Sequence, residues 1–245
     1  VELQSAGLKI YTTVDPLVQQ ITQRIAASTL TELERADKAD RGSLQTALVI
    51  IAPRTAEIRA LVGSRGGSTA EFNRALNARR PIGSLVKPFV YLTALEQTQR
   101  FNVLSTLADT PVSVMTANGE LWEPRNYDNK SHGDVSLRQA FTRSFNLATV
   151  NLGLKIGVKE ISKRLQALGV ERAIGNFPSL LLGAIELSPI EVTRLYQAIA
   201  NDGFSVPLRA IRSVVDGNNN TLKRYPPKVV QVLDEHTAYL AQYLL

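Results

Sequence analysis

Pro88 limits where one helix of this chain can start, and with it the surroundings of two reactive side chains. A proline has no N–H to donate, and its ring clashes with the carbonyl four residues back. The helix that runs through Phe89, Val90, Leu92 and Leu95 can therefore begin no earlier than about Ser84. Ser84 and Lys87 then fall in its first turn, three residues apart and on one face, with the positive end of the helix dipole aimed at both. An ammonium is disfavoured there. A serine that must become an alkoxide, and a lysine that must shed its proton to act as a base, both gain from that field. A local rule broken in this way marks a candidate functional site.

Serine and lysine are common, and this spacing alone arises by chance about once in a chain of this length. Context sharpens it. Gly83 lets the backbone approach closely, Pro88 fixes the helix start, and no other serine in the sequence has a lysine three residues on. With no cysteine in the 245 residues, disulfides, thiolate catalysis and Cys-type zinc sites are excluded. The two histidines, His132 and His236, are too few for a His-rich metal site or an obvious Ser-His-Asp triad. A serine nucleophile here needs another base, and Lys87 is the one at hand. His132 and His236 read as surface or loop residues without a role, and the chemistry calls for no metal and no diffusible cofactor.

The net charge of +6 comes from scattered Arg and Lys. No run of like charge and no basic stripe interleaved with aromatics is present, so nucleic acid is a poor reading. No stretch of about 18 apolar residues occurs, and Val1-Glu2-Leu3-Gln4 does not open a signal peptide, so any anchor or export signal is expected outside these residues.

Along the chain, Leu8 to Val14 alternates like a short strand, and Asp15-Pro16 reads as an N-cap with proline at the first helical position. The following helix carries an apolar stripe of Leu17, Val18, Ile21, Ile25, Leu30 and Leu33, and the charged stretch Glu34 to Arg41 reads as an exposed loop. Thr46 to Ala52 and Glu57 to Val62 form a hairpin signal around Pro53-Arg54-Thr55-Ala56, and Ser64 to Ser68 reads as a flexible loop. After the Ser84 helix, about Asn102 to Asp134 lacks regular pattern and holds the only Trp and Met. Ser136 can cap a short helix, and Ser144-Phe145-Asn146 stands at the start of an apolar helix, Leu147 to Ile156. Further helices are expected over Lys159 to Leu168 and from Ser188-Pro189 to about Asn201. Strands are expected at Ala210 to Val215, Thr221 to Tyr225 and Val229 to Leu233, and Asp234 caps a last helix with apolar Ala238, Leu240, Ala241, Leu244 and Leu245.

Three segments together resemble the penicillin-binding transpeptidase domain of class A, bifunctional peptidoglycan synthases, nearest the 1b type of Gram-negative bacteria. Ser84-Leu85-Val86-Lys87 matches the SxxK nucleophile motif, with Phe72-Asn73-Arg74-Ala75 upstream also typical. Ser144-Phe145-Asn146 matches the second motif, SxN. Pro178 to Pro189, running on into Tyr196 to Gly203, is a longer match, and the segment from Gly7 to Pro16 looks like the usual opening of the domain. The third motif, Lys-Thr/Ser-Gly, does not occur in the sequence. The last helix is uncapped, so the chain is expected to be truncated before that strand, with an open sheet edge, and unstable or inactive alone.

The resemblance implies an α+β fold of the penicillin-binding and serine β-lactamase type, with an antiparallel sheet, flanking helices and an all-helical subdomain. Residues 1–44 would be the opening strand and first helix, and 45–245 the body of the domain. It implies a D,D-transpeptidase that cross-links peptidoglycan stem peptides through a serine acyl-enzyme and is blocked covalently by β-lactams. Ser84 would be the nucleophile, Lys87, kept neutral by the helix dipole and a neighbouring charge, the base, and Ser144 a proton relay. Asn146 would bind the donor peptide and help place Lys87. Trp122, Pro124, Asn126 and Tyr127 either line the rim of the cleft or anchor a loop. The same resemblance places the parent protein at the periplasmic face of the inner membrane, anchored there and bearing a glycosyltransferase domain. Two alternatives stay open: a D,D-carboxypeptidase, which differs only in acceptor, and a non-catalytic β-lactam sensor or scaffold. A β-lactamase is disfavoured, because no glutamate-bearing deacylation loop is recognisable.

Overall fold

The computed structural model describes residues 7–38, 40–66 and 72–245. The chain divides into two compact units. The first comprises Val1–Arg79, Ser188–Gln197 and Ser205–Val230, and the second Arg80–Leu187, Ala198–Phe204 and Gln231–Leu245. Two residues of the expected 64–68 loop, Gly67 and Ser68, lie outside the described residues, as does Ala39 in the charged stretch.

The first unit is built on antiparallel strands. Ile211–Val215 lies between Lys9–Thr12 and Thr221–Arg224, in a register that pairs Lys9 with Val215 and Ser213 with Arg224. The turn between the last two strands closes on Asp216, whose Oδ1 accepts the N–H groups of Asn218 and Asn220, while Asn219 takes a positive φ. The hairpin expected at 46–62 forms from Leu48–Ala52 and Glu57–Val62, with a bulge between Ile50 and Ile51. An isolated bridge from Glu57 to Arg209 ties it toward the three-stranded sheet. Buried Glu57 reinforces that tie. Its carboxylate meets Arg59 at 2.8 Å, Arg209 at 2.9 Å, and Arg212 at 2.8 and 3.0 Å.

Helix α1 (Pro16–Ala36) starts as expected, with Asp15 Oδ1 accepting from the N–H groups of Leu17 and Val18. Its orientation corrects the sequence expectation. The buried positions are Thr22, Ala26, Leu30 and Glu34, four residues apart, whereas Leu17, Ile21, Ile25 and Leu33 of the expected core stripe are exposed. Polar pins set this rotation. Gln19 makes two hydrogen bonds with the backbone of Leu61, and Glu34 accepts from Arg65 and from the N–H groups of Gly42 and Leu44. Glu34 thus belongs to the buried face of the helix and not to an exposed loop. A four-residue helix, α2 (Arg74–Asn77), is capped by the Asn73 side chain.

The second unit is centred on α3 (Lys87–Leu95), in which every residue is buried. Helix α4 (Leu137–Thr142) is capped by Ser136, as expected. Helices α5 (Asn146–Ile156) and α6 (Val158–Ala167) follow, meeting at Gly157. Helix α7 (Pro189–Ala200) begins in the first unit and ends in the second, and α8 (Glu235–Leu244) is capped by Asp234. Helices α5, α6 and α8 all pack on α3, and Ala238, Ala241 and Leu244 are the buried side of α8.

Two expectations are revised here. The 102–134 segment is not irregular, because Thr106–Asp109 pairs antiparallel with Gly133–Ser136, and Val114–Met115 with Leu121–Trp122. Nor is this half all-helical, since those ladders and a third, Arg80–Pro81 with Glu186–Leu187, belong to it. Strands of two to four residues are too short to leave an alternating signal in sequence.

Candidate active site

The loop before α3 is held by its neighbour across a short ladder. Beyond the Arg80 to Leu187 pairing, the Ile82 N–H donates to Ile185 O at 3.0 Å and the Gly83 N–H to Gly183 O at 3.2 Å. Gly83, at φ +55°, then turns the chain into a 3₁₀ turn, Gly83–Val86, that runs directly into α3. In a 3₁₀ turn residues i and i+3 eclipse one another, so Ser84 and Lys87 share a face. Pro88 stands at the start of α3, where its missing N–H costs nothing. Ser84 is exposed, and neither its N–H nor its Oγ has a hydrogen bond among the described residues.

Lys87 is 4% exposed, and its Nζ is gripped by three acceptors. It donates to Ser144 O at 2.5 Å, Ser144 Oγ at 2.9 Å and Asn146 Oδ1 at 2.6 Å. Burial lowers its pKa from 10.5 to about 8, while the negative charge of Asp109 pulls the other way. From sequence, the helix dipole and a neighbouring charge are expected to keep Lys87 neutral. Desolvation is the cause that dominates, and the nearby charge opposes it.

Ser144 is positioned differently from expectation. It does not cap α5. It follows the end of α4 at φ +54°, with its N–H bonded to Phe141 O and the Phe145 N–H bonded to Ala140 O. This is a Schellman closure in which serine takes the left-handed place usually given to glycine. Such a conformation costs a non-glycine residue on the order of 1 kcal/mol. The position keeps a hydroxyl that glycine would lack, and both Ser144 oxygens are spent on Lys87.

The α5 N-terminus is capped from a distance. Asn126 Oδ1 accepts from the Asn146 N–H at 2.7 Å and the Leu147 N–H at 3.1 Å, and Asp109 Oδ1 accepts from the Ala148 N–H at 2.9 Å. Asn126 Nδ2 in turn donates to Asp109 Oδ2 at 2.7 Å and to Lys130 O at 2.8 Å. Asn146 Nδ2 donates to Arg125 O at 2.7 Å, so both ends of that amide are fixed. Of the four residues suggested for a cleft rim, Asn126 is buried in this network and Tyr127 is fully exposed.

The sequence reading missed Asp109, which is completely buried, and it set His132 aside. His132 Nδ1 lies 2.6 Å from Asp109 Oδ2, its Nε2 lies 3.1 Å from Asp128 Oδ2, and its ring stacks on Phe145 with centroids 4.1 Å apart. The one available signal was Asp109 itself, a charged residue ending the apolar pattern Leu107-Ala108. Among the described residues no cluster of His, Cys, Asp or Glu suits a metal ion, and no helix is long and apolar enough to cross a membrane.

The four motif side chains thus bring together an exposed serine and, on the same face of the turn, a buried lysine held by a second serine and an asparagine. Residues 46–245 match the family model for the penicillin binding protein transpeptidase domain. The chain belongs to that family.

Among relatives of this transpeptidase domain, penicillin-binding protein 1B of Vibrio cholerae is 39% identical over 241 residues, covering 98% of this chain and 31% of that protein. Penicillin-binding protein 1B of Escherichia coli K12 is 37% identical over 243 residues, covering 98% and 29%. The chain therefore spans under a third of the length of these relatives. The structure of PonA1 from Mycobacterium tuberculosis superposes with a TM-score of 0.81 at 21% identity, covering 99% of this chain and 64% of that one. The α+β transpeptidase fold is shared.

Proposed function

We propose that this domain is a serine D,D-transpeptidase that cross-links peptidoglycan stem peptides and is acylated by β-lactams. The observation that carries the reading is Lys87 Nζ, buried against Ser144 and Asn146 on the face it shares with Ser84. Ser84 Oγ attacks the penultimate D-alanine carbonyl carbon of the donor stem, and its proton passes to neutral Lys87. The C–N bond to the terminal D-alanine breaks, and the leaving amine collects a proton through the Ser144 hydroxyl. An amine of a second stem then attacks the ester, forms the cross-link and returns Ser84 to its starting state. The unpaired Ser84 N–H is one oxyanion donor. The spare N–H of the Asn146 amide faces the donor peptide.

The PonA1 protein has a structure in complex with penicillin V, and likeness of fold supports the same ligand class here. Action at the periplasmic face of the inner membrane, in a protein that also carries an anchor and a glycosyltransferase domain, follows from the resemblance to bifunctional synthases and is part of this proposal.

The test is the intact mass of the natural full-length protein before and after benzylpenicillin, beside Ser84→Ala. One adduct per chain, lost in the variant, is expected. No adduct on folded protein overturns the reading. Incubation with paired stem peptides then separates cross-linking from simple removal of D-alanine, the carboxypeptidase outcome.

A further inference from the structure

His132 reaches the Ser144 turn through Phe145, on which its ring stacks. Its edge is fixed: the backbone N–H donates to Asp109 Oδ2 at 3.0 Å, Nδ1 lies 2.6 Å from the same oxygen, and Nε2 faces Asp128 Oδ2 at 3.1 Å. Asp109 cannot shift in response, because it is fully buried and its other oxygen caps α5 at Ala148. Asp128 is anchored in turn by the Lys130 N–H, which it accepts at 3.1 Å. A ring held at both nitrogens presents a fixed face, and that face lies on Phe145 at 4.1 Å with the planes 11° apart.

Phe145 is the residue between the two motif positions. Its N–H closes the Schellman turn on Ala140 O, and it directly follows Ser144, whose φ of +54° a serine does not hold unaided. On one side Ser144 is held by Lys87 Nζ. On the other, the Ser144 N–H on Phe141 O and the placement of Phe145 keep the turn from relaxing.

The geometry points to His132 as a positioning residue for acylation: through its stack on Phe145 it holds Ser144 in the left-handed turn that keeps both Ser144 oxygens on the Lys87 ammonium nitrogen. The inference rests on the acyl-transfer reading above. His132 touches no reacting atom. If the stack is lost, the Ser144 turn loosens and water reaches Lys87. Because desolvation is what makes Lys87 a usable base, its titration then moves toward that of an ordinary lysine. A residue with only a stabilising role would lower the folded fraction and leave that titration where it was.

The experiment measures the second-order rate of benzylpenicillin acylation against pH, from 7 to 10, on the natural full-length protein and on His132→Ala, His132→Phe and His132→Asn, with thermal unfolding alongside. For His132→Ala we expect a rate about 10- to 100-fold lower at pH 8 and a midpoint moved to higher pH. His132→Phe keeps an aromatic face without the two nitrogen contacts and restores part of both. His132→Asn keeps a hydrogen-bonding edge without the face and restores neither. Should His132→Ala fail to fold, Phe145→Ala is read the same way and should show the same shift in midpoint. An unmoved midpoint with a loss matching the unfolded fraction, or rescue by asparagine in place of phenylalanine, overturns the role. Wild-type protein that folds but never acylates would instead overturn the transpeptidase reading.

Discussion

A Cβ placed on Gly183 would lie 2.1 Å from the carbonyl oxygen of Gly83, closer than any real contact allows. Gly183 also sits at φ +80°, in the left-handed region, so a side chain there is opposed by both space and backbone. The turn that carries Ser84 is therefore seated on a glycine a hundred residues away in sequence. Gly183→Ala should push the Gly83–Ser84 backbone off its partner, with acylation by benzylpenicillin falling at least ~100-fold, the scale of a misplaced reacting group. Stopped-flow acylation and a thermal melt check it. An alanine variant that acylates at the wild-type rate would show that the turn does not depend on this seat.

Lys87 gives a pH signature with a definite sign. With its pKa lowered to about 8, roughly a tenth of the lysine is neutral at pH 7. The acylation rate should rise about tenfold per pH unit below that midpoint and level off above it. Stability moves the same way. The folded state releases the proton near pH 8 while the unfolded lysine keeps it to about 10.5, so the unfolded state binds more protons in that window and stability rises with pH across it. Lys87→Met should remove both trends and slow acylation by about 100-fold or more. A rate profile that is flat from pH 6 to 9 in the wild type would exclude Lys87 as the base.

In the first unit the corresponding weak point is Glu57, whose carboxylate faces Arg212, Arg59 and Arg209 and is held below the usual carboxylate range chiefly by the Arg212 hydrogen bonds. Glu57→Gln leaves three guanidinium groups without their anion and should cost about 3 kcal/mol at pH 7. A carboxylate with a depressed native pKa stabilises fully above its unfolded value and loses that contribution as pH falls through the native one. The gap between wild-type and Glu57→Gln melting temperatures should therefore narrow steadily below about pH 4.5. A gap that stays constant down to pH 3 would deny the ion cluster any share in stability.

What could be read from sequence was what depends on near neighbours. Asp15, Ser136 and Asp234 each cap a helix within three residues, so those starts were visible, and Pro88 fixed the Ser84 turn. The hairpin at 48–62 was visible for the same reason. What stayed hidden depends on distant partners. Asp109 and Asn126 act on α5 from 39 and 20 residues away, and no local pattern announces that. The rotation of α1 was hidden because Gln19 and Glu34 decide it through Leu61, Gly42 and Leu44, against the pull of the apolar stripe. Ser144 looked like a helix start because serine usually is one. Its left-handed φ follows from the end of α4, and its strain from its duty to Lys87.

The remote cap of α5 also bears on the order in which the site can come into being. A ribosome delivers the chain N-terminus first. Asp109 and Asn126 are therefore already outside when Asn146, Leu147 and Ala148 emerge with N–H groups to be met. The receptor for the helix is made before the helix. An insertion or deletion that delayed the 106–136 ladder would leave α5 to start in water, where an isolated helix of eleven residues is marginal. The grip on Lys87 would then assemble late, and its lysine would spend the interval fully solvated and charged.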